Sequence, residues 1–165
     1  MVVVASLVDK VPNQAGLSRT CEVLGASRLV LPSLSGLRDP SFSDISVTAH
    51  HHVAIEAVPP SDLVPWLLRM RAAGYALIGL EQTARSRPLP GFAFPPRTAL
   101  VLGHERHGIP PPVLDTLDAC VEIPQVGLVR SLNVHVSGAV ALYECVRGRR
   151  ATEAGGGASG GGEGK

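Results

Sequence analysis

Short, unbroken apolar runs separated by segments of helical periodicity constrain this chain more than any other feature. Residues 2–7, 28–31, 53–58, 75–80, 98–102 and 119–123 read as strands. Several are continuous rather than alternating, as a strand covered on both faces must be. Helical patterns fill the gaps. Residues 16–24 place Leu17, Cys21 and Leu24 on one stripe and stop at Gly25, a suitable residue just past a helix end. Residues 61–73 do the same with Leu63, Trp66, Leu67 and Met70, and residues 132–146 with Leu132, Val136, Ala139, Val140 and Tyr143. Ser131 is the natural N-cap of that last helix. Strands alternating with helices predict an α/β fold with a mainly parallel sheet flanked by helices. Ligands of such sheets bind beyond the carboxyl ends of the strands. The loops after Leu7, Leu80, Leu102 and Ile123 are therefore where a site is expected.

No internal repeat and no linker divides the first 150 residues, so residues 1–150 are expected to form one domain around a single core. From Gly155 the chain reads GGGASGGGEGK, with no apolar residue larger than alanine. Such a segment cannot bury enough surface to offset its ordering entropy, and residues 151–165 are expected to form a disordered tail. No run approaches the roughly 18 uninterrupted apolar residues of a membrane span, and no membrane partner is expected. The N-terminal MVVVASLVDK has no basic leader before its apolar run, so no secretory signal is expected. Cys21, Cys120 and Cys145 are odd in number and widely spaced, which predicts reduced thiols and a cytoplasmic or nuclear location. The formal net charge is +1. A protein gripping nucleic acid chiefly through its own field is usually far more basic, so any such claim has to come from a site.

Three loops carry candidate chemistry. Asn13 to Thr20 (NQAGLSRT) leaves the first strand and opens the first helix. Arg19 lies off the apolar stripe and can point toward the strand ends or simply into solvent, and Asn13 can equally serve as a turn former. Leu102 to Ile109 (LGHERHGI) follows a buried strand. Two glycines flanking a polar run let backbone approach a ligand closely, although a purely structural turn has the same look. The pattern is neither a dinucleotide fingerprint nor a P-loop. Ile123 to His135 (IPQVGLVRSLNVH) ends a strand, turns at Pro and Gly, and sets Ser131 and Asn133 at a helix mouth. Free backbone N–H groups there would favour a carboxylate or phosphate, unless the segment is a plain N-cap.

In this order and spacing, N-x-x-G-x-x-R-T, L-G-x-E-x-x-G-I and I-P-x-x-G-x-x-x-S-L-N-V resemble the three motifs of the SpoU, or TrmH-like, branch of the SPOUT RNA 2′-O-ribose methyltransferases. The likeness spans nearly all of the expected folded chain. It implies a deep C-terminal trefoil knot, which periodicity could never suggest because knots are so rare. It implies S-adenosylmethionine as methyl donor, S-adenosylhomocysteine as product, and a homodimer in which each subunit helps complete its neighbour's site. The RNA implied is tRNA, with a D-loop guanosine as the acceptor and additional N-terminal regions in a longer parent protein. Carried over by motif, the donor contacts are Leu80, Glu81, Thr83, Leu102, Gly103, His104, Glu105, Gly108, Ile123, Pro124, Ser131, Leu132 and Asn133. The catalytic set is Arg19, Asn13, Glu105, Ser131 and Asn133.

The family arginine is often described as the base that deprotonates the ribose hydroxyl. A guanidinium has a pKa above about 12, and lowering it by several units requires strong desolvation or a cationic neighbour. An equally physical role keeps Arg19 charged, orienting the hydroxyl or a phosphate and stabilising the developing alkoxide. One position departs from the pattern: His104 stands where the family usually has asparagine. If that side chain holds the loop, the chain could be a non-catalytic RNA-binding or scaffolding module that retains the donor pocket. His50, His51 and His52 are consecutive and point in different directions on any regular element, so a surface loop is expected there rather than a metal site. The cluster from His104 to His107 lacks the paired carboxylate or nucleophile–base set that hydrolysis needs.

Overall fold

The computed structural model describes residues 1–129 and 131–156. Seven strands form one sheet: β1 (Val2–Val4), β2 (Arg28–Leu31), β3 (Ile55–Ala57), β4 (Ala76–Leu80), β5 (Arg87–Pro88), β6 (Thr98–Leu102) and β7 (Ala119–Glu122). Their order is β3-β2-β1-β6-β4-β7-β5 and every pairing is parallel. Side chains of β1 alternate between two cores. Val3 joins Leu17 and Cys21 of α1 (Val11–Val23), Phe42 of α2 (Pro40–Ser46) and Leu142 of α5 (Val134–Gly156). Val2 and Val4 join Trp66 and Leu67 of α3 (Leu63–Ala72) and Val113 of α4 (Pro111–Leu114). Helices therefore cover both faces, which is why the strands read as unbroken apolar runs.

The path between β4 and β6 positions the site. Residues 81–97 leave β4, pair as β5 on the far side of β7, and return to β6 on the other side of β4. β7 thus enters the sheet between β4, where the excursion begins, and β5, the strand it carries. Pro88 sits in β5, an edge strand, where its missing N–H interrupts no central ladder.

Several boundaries differ from the sequence expectation for identifiable reasons. α1 begins at Val11, not at 16, because Pro12 in its first turn is preset for helix. Asn13 is therefore a buried helical residue rather than a turn former. At the other end Gly25 has φ of 70°, the left-handed conformation expected just past the helix. α5 begins at Val134, and its cap is Asn133 instead of Ser131. The Asn133 Oδ1 accepts the N–H groups of His135 (2.9 Å) and Val136 (3.3 Å), the usual geometry of a capping amide. α5 continues to Gly156, past the expected domain end at 150, since Ala151, Glu153 and Ala154 are helix formers. The rest of the expected tail, 157–165, lies outside the described residues. α2, α4 and two-residue β5 were not expected; α2 is capped by Asp39, whose carboxylate accepts Ser41 N–H at 2.9 Å. Among the described residues no helix is long and apolar enough to cross a membrane. All three cysteines are free, and burial pushes the Cys21 thiol up to about 12.

Candidate functional site

The carboxyl ends of β4, β6 and β7 open onto a cavity of about 160 Å³. Ten of the expected donor contacts line it: Leu80, Glu81, Leu102, Gly103, His104, Glu105, Gly108, Ile123, Ser131 and Leu132. Thr83, Pro124 and Asn133 do not. Thr83 instead closes a local turn, its N–H donating to Ser86 Oγ at 3.1 Å. Gln82, Glu122, Gln125, Val134 and Ser137 complete the wall and were not expected. The rule of strand ends reaches Glu122 and Gln82, which terminate β7 and follow β4. Ser137 carries no such mark, because it reaches the cavity only once α5 is capped at Asn133.

The loop after β6 accepts only glycine at two positions. His104 and Gly108 exchange backbone hydrogen bonds of 2.9 Å each, closing residues 104–108 into a tight bridge. A Cβ on Gly103 would stand 2.7–2.9 Å from the backbone of Gly108 and Ile109. Gly108 has φ of 66°, and a Cβ there would run into the Glu81 carboxylate. That carboxylate accepts the Ile109 N–H at 2.9 Å and the Gln82 N–H at 3.1 Å, pinning the loop to the end of β4. The result is a backbone-lined cradle backed by Leu80, Leu102, Ile123 and Leu132.

A polar relay then joins the three loops. Asn13 Nδ2 donates to Glu105 Oε1 at 2.7 Å, and Asn133 Nδ2 donates to Asn13 Oδ1 at 2.9 Å. Glu105 also accepts the backbone N–H groups of Lys10 (3.2 Å) and Asp9 (3.4 Å). Partial burial alone would raise the Glu105 carboxyl, but hydrogen bonds from Asn13 and nearby backbone outweigh it and hold it at about 2. Because Asn133 occupies the helix-mouth N–H groups, that mouth is not the open anion site the sequence allowed. Among the described residues the cavity wall carries the carboxylates Glu81, Glu105 and Glu122 and no lysine or arginine.

His104 does for its loop what an asparagine amide could. Its Nδ1 accepts the Arg106 N–H at 3.0 Å, its Nε2 faces Asp9 Oδ2 at 3.4 Å, and its ring stacks on His107 at 4.8 Å. Away from the site, His50 Nδ1 lies 2.7 Å from Ser46 Oγ and its ring packs edge-on against Phe42.

Arg19 is not in this cavity. It lies exposed on a second, mostly apolar groove of about 610 Å³ between α1 and α5, with Gly16, Thr20, Val23, His135, Val140 and Tyr143 among its walls. Val23, Val140 and Tyr143 are 69%, 40% and 59% exposed, a large apolar share for a solvent face. The structure thus brings Asn13, Glu105 and Asn133 together, sets Ser131 on the cavity wall, and leaves Arg19 on a different face of the same chain.

A family profile described as SpoU rRNA Methylase family matches residues 1–143. The mouse tRNA (guanosine(18)-2'-O)-methyltransferase TARBP1 is 50% identical over 147 residues, covering 89% of this chain. The chain spans 9% of that relative's length. The Aquifex aeolicus TrmH/SpoU tRNA modifying enzyme superposes with a TM-score of 0.81 at 27% identity, covering 93% of this chain and 76% of that one. The SpoU methyltransferase AviRb from Streptomyces viridochromogenes, solved in complex with the cofactor AdoMet, gives 0.78 at 26% identity over 92% of this chain and 61% of that one. With the second and third motifs lining one cavity, the first tied to them through Asn13, and the profile covering most of the sequence, this chain belongs to the SpoU rRNA methylase family.

Proposed function

We propose that the chain is an S-adenosylmethionine-dependent RNA 2′-O-ribose methyltransferase that modifies a guanosine in the D-loop of tRNA. The observation that carries this reading is the Asn133–Asn13–Glu105 relay, which locks all three family motifs around a glycine-only, carboxylate-rimmed cradle. The residues present fit the donor. Backbone at Gly103 and Gly108 allows close approach, Ile123 and Leu132 offer apolar walls for a purine, and the carboxylates suit a cation. When bound, S-adenosylmethionine supplies an electrophilic methyl group on a sulfonium. Glu105 remains ionised and holds the loops in place. The Arg19 guanidinium offsets negative charge as the ribose hydroxyl loses its proton.

The position of Arg19, outside the cavity, accords with a site completed by a second copy of the chain. The α1–α5 groove and the exposed Val126, Leu128 and Val129 form apolar surfaces suited to a homodimer, in which Arg19 of one subunit serves the cavity of the other. The excursion of residues 81–97 around β7 supports a trefoil knot in the C-terminal segment. The +1 net charge accords with a catalytic unit that shares its grip on tRNA with other regions of a longer protein, and the chain spans only 9% of the mouse relative's length. Free, largely buried thiols accord with a cytoplasmic or nuclear location. The test is mass spectrometry of nucleosides from unmodified tRNA incubated with the full-length protein and donor. The reading predicts 2′-O-methylguanosine. Donor binding by calorimetry without methyl transfer to any RNA refutes it.

A further inference from the structure

The groove that holds Arg19 also holds a hydroxyl–imidazole pair. Thr20 Oγ1 lies 3.0 Å from His135 Nε2, joining α1 to α5 across the groove. The ring is seated by Gly16, where any Cβ would overlap it. Its backbone is fixed as well, since the His135 N–H donates to Asn133 Oδ1 at 2.9 Å, within the relay that closes the donor cavity. Thr20 directly follows Arg19 in the chain and lines the same open surface.

Other bases bordering the two sites are already committed. Glu105 is held at about 2 and accepts hydrogen bonds on both oxygens. Glu81 uses both oxygens on backbone N–H groups. Glu122 takes the Ser86 hydroxyl at 2.6 Å. His104 is occupied on Nδ1 by Arg106 and faces Asp9 with Nε2. A guanidinium cannot accept a proton at neutral pH.

We propose that the Thr20–His135 pair accepts the proton of the ribose hydroxyl at the composite site, with Arg19 beside it acting only as a fixed cation. This rests on the methyltransferase reading above. The ribose O–H bond breaks as its proton passes to Thr20 Oγ1, while the Thr20 hydroxyl proton passes to His135 Nε2. The electron pair stays on the ribose oxygen, which is then the nucleophile toward the donor methyl. The imidazolium later returns its proton to solvent. Half-burial lowers the His135 pKa from its ordinary 6.5, so the ring is neutral and able to accept at physiological pH. Among the described residues, the charged and titratable groups facing it in the groove are Arg19 from α1 and Tyr143 from α5; α2 contributes the apolar Ile45.

The test uses the full-length protein, S-adenosylmethionine and an unmodified tRNA transcript. Single-turnover rates are measured from pH 5.5 to 8.5 for wild type, His135→Gln and Thr20→Val, with dimer mass followed by light scattering. An NMR titration of His135 supplies a readout independent of turnover. The proposal expects both variants to lose about 10²–10⁴ in rate. It also expects the acid limb of the wild-type profile to vanish in His135→Gln and to coincide with the His135 titration seen by NMR. A wild-type rate in His135→Gln overturns it, as does a reduced rate with the acid limb unchanged. If His135→Gln loses the dimer, Thr20→Val decides, and an unchanged rate there overturns the proposal. A wild-type protein that binds donor yet methylates no RNA sinks the methyltransferase reading itself, and this proposal with it.

Discussion

Substituting Glu105 by Gln tests the claim that one carboxylate holds three loops together. The side chain keeps its size, but one of its two acceptor oxygens becomes an NH₂ group. Glu105 accepts hydrogen bonds from Asn13 Nδ2 and from the N–H groups of Lys10 and Asp9, so the amide must place a donor against a donor. Lowering the carboxyl from 4.5 to about 2 corresponds to at most about 3 kcal/mol. Solvent contact at the carboxylate reduces that to roughly 1–2 kcal/mol. The folded-state pKa lies below the unfolded value, so this stabilisation is complete above about pH 4.5 and is lost as pH falls toward 2. Denaturant melts of wild type and Glu105→Gln should therefore differ by about 1–2 kcal/mol at pH 7, and the gap should narrow steadily below pH 4.5. A gap that does not change with pH, or one that widens in acid, refutes the electrostatic account of the relay.

Three further outcomes follow from the geometry. Gly108→Ala forces an unfavourable backbone conformation and drives a methyl into the Glu81 carboxylate, so calorimetry should show donor affinity reduced at least about tenfold, a loss of roughly 1.4 kcal/mol. Asn133→Ala removes the cap of α5 and breaks the link to Asn13; thermal melts should show a loss of about 1–2 kcal/mol, or roughly 2–8 °C in Tm. Arg19→Lys should keep both the melting temperature and donor binding while abolishing nearly all methyl transfer, because a point charge does not reproduce the planar fork. Full activity in that variant removes Arg19 from the mechanism.

The fold was legible because burial on both faces of a parallel sheet leaves a direct mark on composition: β2 and β6 begin and end where their apolar runs do. β5 left no such mark, since Arg87 and Pro88 form a strand only because β7 lies beside them. The cavity was legible where glycine or a motif pinned the backbone, as at Gly103 and Gly108, and less so where a side chain reached it from elsewhere, as Ser137 does from α5. Local pattern also misassigned the cap of α5. Ser131 and Asn133 are both good capping residues, and the choice fell to Asn133 because its amide also reaches Asn13, 120 positions earlier in the chain. The placement of Arg19 is likewise invisible to periodicity. Lying off the apolar stripe says that a residue avoids the core, not which of two openings it borders.

The insertion of β7 between β4 and β5 also dictates when a growing chain acquires its cofactor cradle. A nascent polypeptide that has emerged only through β6 already has β1, β2, β3, β4 and β6, yet it lacks the partner of β5 and, from the wall, Glu122, Ile123, Ser131 and Leu132. The last third of the chain must slot into a gap that its own middle has prepared, a non-local step of the kind that slows folding. Donor-binding capacity therefore doubles as a completion signal, absent from truncated products however well their first half is formed.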